Sequence, residues 1–206
     1  MKRLLAMVIL LIVFLSQSSV AFSQIPEIDA GAYMLVDLET GEVLLQKNSD
    51  QVLYPASTTK IMTAILALEN GDLDQVMTAS QAAIDDIGVN GSNIGIIAGE
   101  KIKLENLLQA MLISSANEAA NIIAENIAES REEFIRMMNS KAKQLGALNT
   151  RFANASGIHD ESHFTTASDM AKIARYAMTF PKFREIVATK TFTMQPTNKH
   201  SKWETL

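Results

Sequence analysis

The segment Tyr54-Pro55-Ala56-Ser57-Thr58-Thr59-Lys60-Ile61-Met62-Thr63-Ala64 carries the pattern on which the interpretation of this chain depends. Pro55 fits just before a helix, and apolar residues follow Lys60 at helical spacing. Ser57 and Lys60 then share one helix face, with about 5–6 Å between their Cβ atoms. A lysine can accept the proton of a serine hydroxyl when burial lowers the lysine pKa. The segment therefore predicts Ser57 as a nucleophile and Lys60 as its general base.

The Ser-x-x-Lys spacing is not specific by itself, because Ser140-Lys141-Ala142-Lys143 has it as well. We interpret this second match as the solvent-exposed face of an amphipathic helix. Lys60 differs because it stands just inside an apolar helix, although a lysine on the protein surface is the alternative.

A second candidate is Ser115-Ala116-Asn117, at the junction of two apolar helices predicted over Leu104–Ile113 and Ala116–Ala128. Two residues apart at a turn, Ser115 and Asn117 can both project into one cleft. The hydroxyl could relay a proton and the amide could hold a substrate carbonyl. The alternative is that Ser115 simply caps the second helix.

Metal and cofactor signals are weak. His159 and His163 are four residues apart, the spacing of a zinc pair on a helix, but Gly157 precedes them and no apolar period runs through the segment. The chain has no cysteine, which excludes thiolate ligands, a disulfide framework and a cysteine nucleophile. The glycines between residues 88 and 99 lack the Gly-Lys-Ser/Thr ending of a phosphate loop, so they are interpreted as turn formers. We expect no cofactor and no metal.

The composition is that of a folded globular protein, with 48% hydrophobic and 20% charged residues among 206. The formal net charge of −5 argues against a nucleic-acid partner. Lys2 and Arg3 precede the apolar run Leu4–Leu15, and small residues follow at Ala21 and Ser23. This order predicts a signal peptide over residues 1–23 and export from the cytoplasm, with an uncleaved anchor as the alternative.

The order of the predicted elements indicates an α+β fold with a helical insertion. Two strands surround a turn that contains Gly41, and helices dominate the middle of the chain. The strands are predicted at Ala32–Asp37, Glu42–Lys47 and Lys190–Met194. Further helices are predicted from Arg131 to Leu145 and, capped by Ser168-Asp169, to about Phe180, with a short turn starting at Pro181.

The segments around Ser57 and Ser115, together with Phe164-Thr165-Thr166-Ala167-Ser168-Asp169-Met170-Ala171, resemble the D-alanyl-D-alanine carboxypeptidases of peptidase family S11, which are low-molecular-weight penicillin-binding proteins. The resemblance runs from about Ile28 to about Met194. It implies the fold of serine β-lactamases and DD-peptidases, an antiparallel sheet with an inserted helical subdomain, and assigns residues 24–206 to a DD-peptidase domain.

The resemblance also implies a mechanism. Ser57 would form an acyl-enzyme on the penultimate D-alanine of a peptidoglycan stem peptide and expel the terminal D-alanine. Lys60 would be the general base, Ser115 would pass the proton towards the leaving group, and Asn117 would hold the peptide carbonyl. β-Lactams would acylate the same serine.

The third motif of the family, Lys-Thr-Gly, is absent, since Lys190-Thr191 is followed by Phe192 on a different segment. By resemblance that motif would fall about twenty residues past Leu206. We therefore expect an incomplete domain that lacks the last strands and the final helix, with little turnover alone. Membrane association would need segments outside this chain. The alternatives are a non-catalytic remnant that binds penicillin or muropeptides and, with only Glu161 to activate water, a β-lactamase.

Overall fold

The computed structural model describes residues 27–203 and residue 205. The predicted signal peptide, residues 1–23, lies outside the described residues. A compact unit begins at Gly31, and residues 27–30 before it form no helix or strand. Within the described part of the chain, no helix is both long enough and apolar enough to cross a bilayer.

In the part of the chain that the structure describes, helices outnumber strands, and the strands form two separate two-stranded antiparallel sheets, β1 with β2 and β3 with β4. The elements follow in the order β1 (Tyr33–Val36), β2 (Val43–Lys47), a 3₁₀ helix (Ala56–Thr59), α1 (Lys60–Asn70), β3 (Val76–Thr78), α2 (Gln81–Asp85), β4 (Lys101–Lys103), α3 (Leu104–Ile113), α4 (Asn117–Ile127), α5 (Arg131–Gln144), α6 (Ala167–Ala177) and α7 (Pro181–Val187).

The predicted β1–β2 hairpin is present, with Leu35 opposite Leu45. Gly41 in its turn has a φ of +78°, a conformation that L-residues rarely adopt. The Arg175 guanidinium on α6 donates to the carbonyl oxygens of Leu38 and Glu39 at 2.9 and 2.7 Å. These bonds fix the turn against the helical part of the fold.

Helix α4 is the centre of the helical part, because it packs against α1, α2, α3, α5 and β3. Its middle is fully buried and combines two branched side chains, Ile122 and Ile123, with small alanines. Small side chains allow neighbouring helices to approach closely. The start of α4 is thereby held beside the start of α1, where the candidate nucleophile lies.

The structure corrects the predicted start of α6. The residue that caps this helix is Thr166, whose side chain accepts a hydrogen bond from the backbone N–H of Asp169 at 3.1 Å. Thr166 has the extended backbone of a capping residue, with a φ of −128° and a ψ of 159°. Ser168 was predicted as part of the cap but lies inside the first turn of the helix.

The strand predicted at Lys190–Met194 is wrong. In the described residues this segment forms only an isolated bridge between Thr193 and Thr205. A strand requires a ladder of hydrogen bonds with a neighbour, which local propensity cannot provide. The short turn predicted at Pro181 is instead the two-turn helix α7, which begins with that proline.

Candidate active site

Ser57 and Lys60 lie together at the start of α1. Pro55, with a φ of −73°, leads into the 3₁₀ helix, and the Thr58 hydroxyl donates to the Pro55 carbonyl at 2.6 Å. Ser57 is exposed, whereas Lys60 is only 2% exposed. The Lys60 ammonium nitrogen, Nζ, is 3.2 Å from Ser57 Oγ. Lys60 is thus not the surface lysine of the alternative interpretation.

Four oxygen atoms surround Lys60 Nζ. The two nearest are Asn117 Oδ1 and the Ser156 carbonyl oxygen, both at 2.7 Å. The other two are the hydroxyls of Ser57 and Ser115, both at 3.2 Å. The two near oxygens can only accept, so they take two N–H donors. In the neutral amine this leaves the lone pair for the hydroxyls, which is the geometry of a general base.

Burial lowers the pKa of Lys60 from its ordinary value of 10.5 to about 8, and the negative charge of Glu118 opposes this decrease. Removal of an ammonium from water disfavours its charged form. An appreciable fraction of Lys60 is then neutral near physiological pH, as a base for a serine hydroxyl requires.

Ser115 completes a triangle with Ser57 and Lys60, since its hydroxyl donates to Ser57 Oγ at 3.0 Å. It is not the helix cap of the alternative interpretation, because the N-cap of α4 is Ala116, which has no side-chain cap bond. Ser115 has a φ of +57°, and Ala56 beside the nucleophile has a φ of +47°. Such backbone costs of order 1–3 kcal/mol and persists only where the surroundings impose it.

Asn117 at the start of α4 makes contacts that the sequence did not indicate. Its Oδ1 accepts from Lys60, and its Nδ2 donates to the Ile87 carbonyl at 2.9 Å. Its backbone N–H donates to the Ser92 carbonyl at 2.8 Å. Asn117 therefore orients Lys60 and holds the 87–92 loop. An amide nitrogen has two N–H donors, and the Ile87 carbonyl takes one of them.

The loop 154–157 is the part of the site that sequence reasoning missed. Its Ser156 carbonyl accepts from Lys60, and the Thr63 hydroxyl on α1 donates to the Ala155 carbonyl at 2.6 Å. Asn154 Oδ1 accepts from the backbone N–H of Gly157 at 2.7 Å. A Cβ at Gly157 would lie 1.9 Å from the Ala56 carbonyl oxygen. Asparagine and glycine are turn-forming residue types, so Asn154 and Gly157 mark a loop but do not reveal its contact with Lys60.

The two histidines considered as zinc ligands have separate partners. His163 is buried, with Nε2 2.9 Å from Thr59 Oγ1, and burial lowers its pKa to about 4. His159 packs edge-on against Tyr54. Within residues 27–203 and 205, no three histidine, aspartate or glutamate side chains are grouped to hold a metal ion.

The remaining candidates lie on the surface. Ser140 and Lys143, the second Ser-x-x-Lys match, are both exposed on α5, as predicted for a solvated face. Glu161, the residue considered for a β-lactamase, is also exposed.

A serine hydroxyl next to a buried lysine and a second serine, in an α+β fold rich in helices, is typical of acyl-transfer enzymes that use a Ser-Lys pair. Residues 19–205 match the D-alanyl-D-alanine carboxypeptidase family, peptidase S11. The chain belongs to this family.

Relatives and solved structures agree with this assignment. D-alanyl-D-alanine carboxypeptidase DacF of Bacillus subtilis is 37% identical over 202 residues, covering 92% of this chain and 51% of that protein. DacC of Escherichia coli is 32% identical over 158 residues, covering 73% of this chain and 40% of that protein. The chain spans about half the length of these curated relatives.

The predicted fold class is confirmed by two solved structures. A mutant of the Streptomyces K15 DD-transpeptidase superposes with a TM-score of 0.82 at 32% identity, covering 88% of this chain and 74% of that one. A D-alanyl-D-alanine carboxypeptidase of Mycobacterium tuberculosis gives 0.80 at 30% identity, covering 88% and 67%.

Proposed function

We propose that this chain carries the acylation site of a serine D-alanyl-D-alanine carboxypeptidase that acts on peptidoglycan stem peptides outside the cytoplasm. The observation that carries the proposal is the triangle of Ser57 Oγ, Lys60 Nζ and Ser115 Oγ, with sides of 3.2, 3.2 and 3.0 Å. Family membership supports the substrate class, a peptide ending in D-Ala-D-Ala, and a β-lactam as its mimic.

In the proposed reaction, Ser57 Oγ attacks the carbonyl carbon of the penultimate D-alanine and its proton passes to neutral Lys60. The backbone N–H of Ser57 would donate to the oxyanion. The C–N bond breaks, and the terminal D-alanine leaves with a proton relayed through Ser115. Water then hydrolyses the Ser57 ester. The second amide N–H of Asn117 would hold the carbonyl of the preceding residue.

The direct test is covalent labelling of the purified whole chain with a fluorescent penicillin, read by denaturing gel and intact mass. We expect one adduct on the parent and none on Ser57→Ala. Ser140→Ala is the matched control, because it removes the serine of the other Ser-x-x-Lys match, and it should label like the parent. Absence of an adduct from a folded parent would contradict the proposal.

A second measurement separates an enzyme from a protein that only binds. Release of D-alanine from a stem peptide ending in D-Ala-D-Ala should accompany labelling and should disappear in Ser57→Ala. A stable penicillin adduct without any D-alanine release would favour the non-catalytic alternative.

A further inference from the structure

His163 is a buried histidine to which the proposed reaction assigns no role. The residue is 2% exposed, and its ring packs edge-on against the buried ring of Phe152, with 5.6 Å between the ring centroids. The polar atoms of a buried imidazole need hydrogen-bond partners, because an unpaired one costs free energy. The two partners of His163 lie on the 3₁₀ helix that carries Ser57 and directly before the loop 154–157.

The two ring nitrogens of His163 reach different segments. Nε2 lies 2.9 Å from the hydroxyl oxygen of Thr59, the residue before Lys60. Nδ1 accepts from the backbone N–H of Ala153 at 3.4 Å. A ring nitrogen that accepts a hydrogen bond carries no proton, so the proton of the neutral ring is on Nε2, which donates to Thr59. Burial lowers the pKa of His163 to about 4, although the charge of Asp160 opposes this, so the ring is neutral near pH 7.

The backbone after His163 pairs with the same two parts of the chain. Phe164 exchanges both of its backbone hydrogen bonds with Arg151, at 2.8 and 2.9 Å. Thr165 exchanges both of its own with Leu53, also at 2.8 and 2.9 Å. Residues 163–165 are therefore paired with the chain that enters the 3₁₀ helix and with the chain that enters the loop 154–157. The side chain of His163 extends this pairing towards the reacting atoms.

We propose that His163 is a positioning residue for the Ser57–Lys60 pair, with its imidazole as a link that holds the 3₁₀ helix beside the loop 154–157. This inference rests on the proposed function, because it takes Ser57 and Lys60 as the reacting groups. Lys60 Nζ has one partner on each side of the link, Ser57 Oγ at 3.2 Å and the Ser156 carbonyl oxygen at 2.7 Å. Loss of the link would therefore displace the amine relative to the hydroxyl and remove neither group.

The first test removes the Thr59 end of the link. Thr59→Val keeps the volume of the side chain and loses the oxygen that accepts from Nε2, whereas Thr59→Ser keeps that oxygen. The loop is also held by the Thr63 hydroxyl, which donates to the Ala155 carbonyl, so the displacement should be partial. In stopped-flow acylation by penicillin, Thr59→Val should slow the covalent step about tenfold, less than the roughly 100-fold cost of a 1 Å misplacement. The Kd of the non-covalent complex should not change, and Thr59→Ser should restore most of the rate.

Two substitutions of His163 separate its two bonds. A glutamine can place its amide nitrogen near the Nε2 position and donate to Thr59, whereas an asparagine places its oxygen near the Nδ1 position and is too short to reach Thr59. His163→Gln should therefore acylate faster than His163→Asn, and adding Thr59→Val to His163→Asn should cause no further loss. Additive losses, or a parent rate in Thr59→Val, would overturn the inference. His200→Gln is the matched control, because His200 also bonds a residue 100 positions away, Glu100, and it should acylate like the parent.

NMR gives a readout that needs no penicillin. The imidazole ¹⁵N shifts of His163 in the parent should show a protonated Nε2 and an unprotonated Nδ1, and a proton on Nδ1 instead would refute the link. In Thr59→Val, the backbone amide signals of Ala153 and Ser156 should move together with that of Lys60, because the link joins their segments. Signals of Ala153 and Ser156 that stay in place would equally refute it. If the parent is never acylated but these signals move, the proposed function fails and the link stands.

Discussion

Replacement of Gly157 by alanine should slow acylation strongly, although it changes none of the side chains around Ser57 and Lys60. Gly157 has a φ of +90°, and a Cβ there would lie 1.9 Å from the Ala56 carbonyl oxygen and 3.0 Å from the Ser57 nitrogen. Since real Cβ contacts under 3.0 Å essentially do not occur, the backbone must move by about 1 Å. The neighbouring atoms belong to main chain and cannot rotate away.

The movement has to separate the 3₁₀ helix from the 154–157 loop, and therefore Ser57 from the carbonyl that orients Lys60. A misplacement of about 1 Å costs roughly 100-fold in rate, or about 2.7 kcal/mol of activation free energy. We expect Gly157→Ala to reduce the penicillin acylation rate by about that factor.

Gly146→Ala is the matched control. Gly146 also has a positive φ, +74°, but nothing lies within 4 Å of its Cβ position. It should lose about 1 kcal/mol of unfolding free energy from the left-handed backbone alone and acylate at the parent rate. A Gly157→Ala protein that melts cooperatively and acylates like the parent would refute the steric argument. If it does not fold, Thr63→Val loosens the same loop more mildly and should still slow acylation.

Three further predictions concern the site, and a fourth concerns the stability of the fold. Well below pH 8, acylation should slow about tenfold for each unit by which the pH falls, because Lys60 must be neutral to act as the base. Lys60→Arg should abolish acylation at every pH. A stopped-flow pH series will test both. Asn117→Ala should slow acylation more than 10-fold, since Lys60 loses an acceptor at 2.7 Å. Ser115→Ala and Ser115→Gly should slow acylation equally, but the glycine variant should be more stable by about 1 kcal/mol in urea melts because φ is +57°. The pKa of His163 is lowered to about 4 in the folded protein, compared with 6.5 in the unfolded chain. Up to about 3 kcal/mol of unfolding free energy should therefore be lost as the pH falls from 6.5 to 4. His163→Gln should remove that loss.

Local patterns predicted that Ser57 and Lys60 lie side by side, as the structure places them. The Ser57–Lys60 pair is set by helical spacing, and an apolar period fixes the helix that buries the lysine. The boundaries Leu104–Ile113 were also predicted as found, because a continuous apolar run has few other ways to be buried. The β1–β2 hairpin followed from its glycine turn.

Contacts between distant segments could not be predicted in the same way. The Ser156 carbonyl reaches Lys60 across 96 positions of sequence, and every residue has a carbonyl, so nothing in the residue type marks this one. The burial of the Glu118 side chain depends on how α4 packs against its neighbours, which the residue type does not reveal. The prediction of a strand at Lys190–Met194 was wrong for a related reason, because a strand needs a neighbouring strand to pair with and residue propensity alone does not supply one.

The strained backbone of this site and the oxygen atoms around Lys60 Nζ depend on each other. Three segments converge on Lys60, and each does so through a left-handed residue: Ala56, Ser115 and Gly157. Two of these residues carry a Cβ and would relax if nothing held them. The hydroxyl triangle and the two carbonyl-type oxygens that accept from the buried amine are among the contacts that hold these segments in place. Loss of the amine would therefore loosen the turns as well as remove the base, so a lysine variant should lose part of the ordering of the site together with its chemistry.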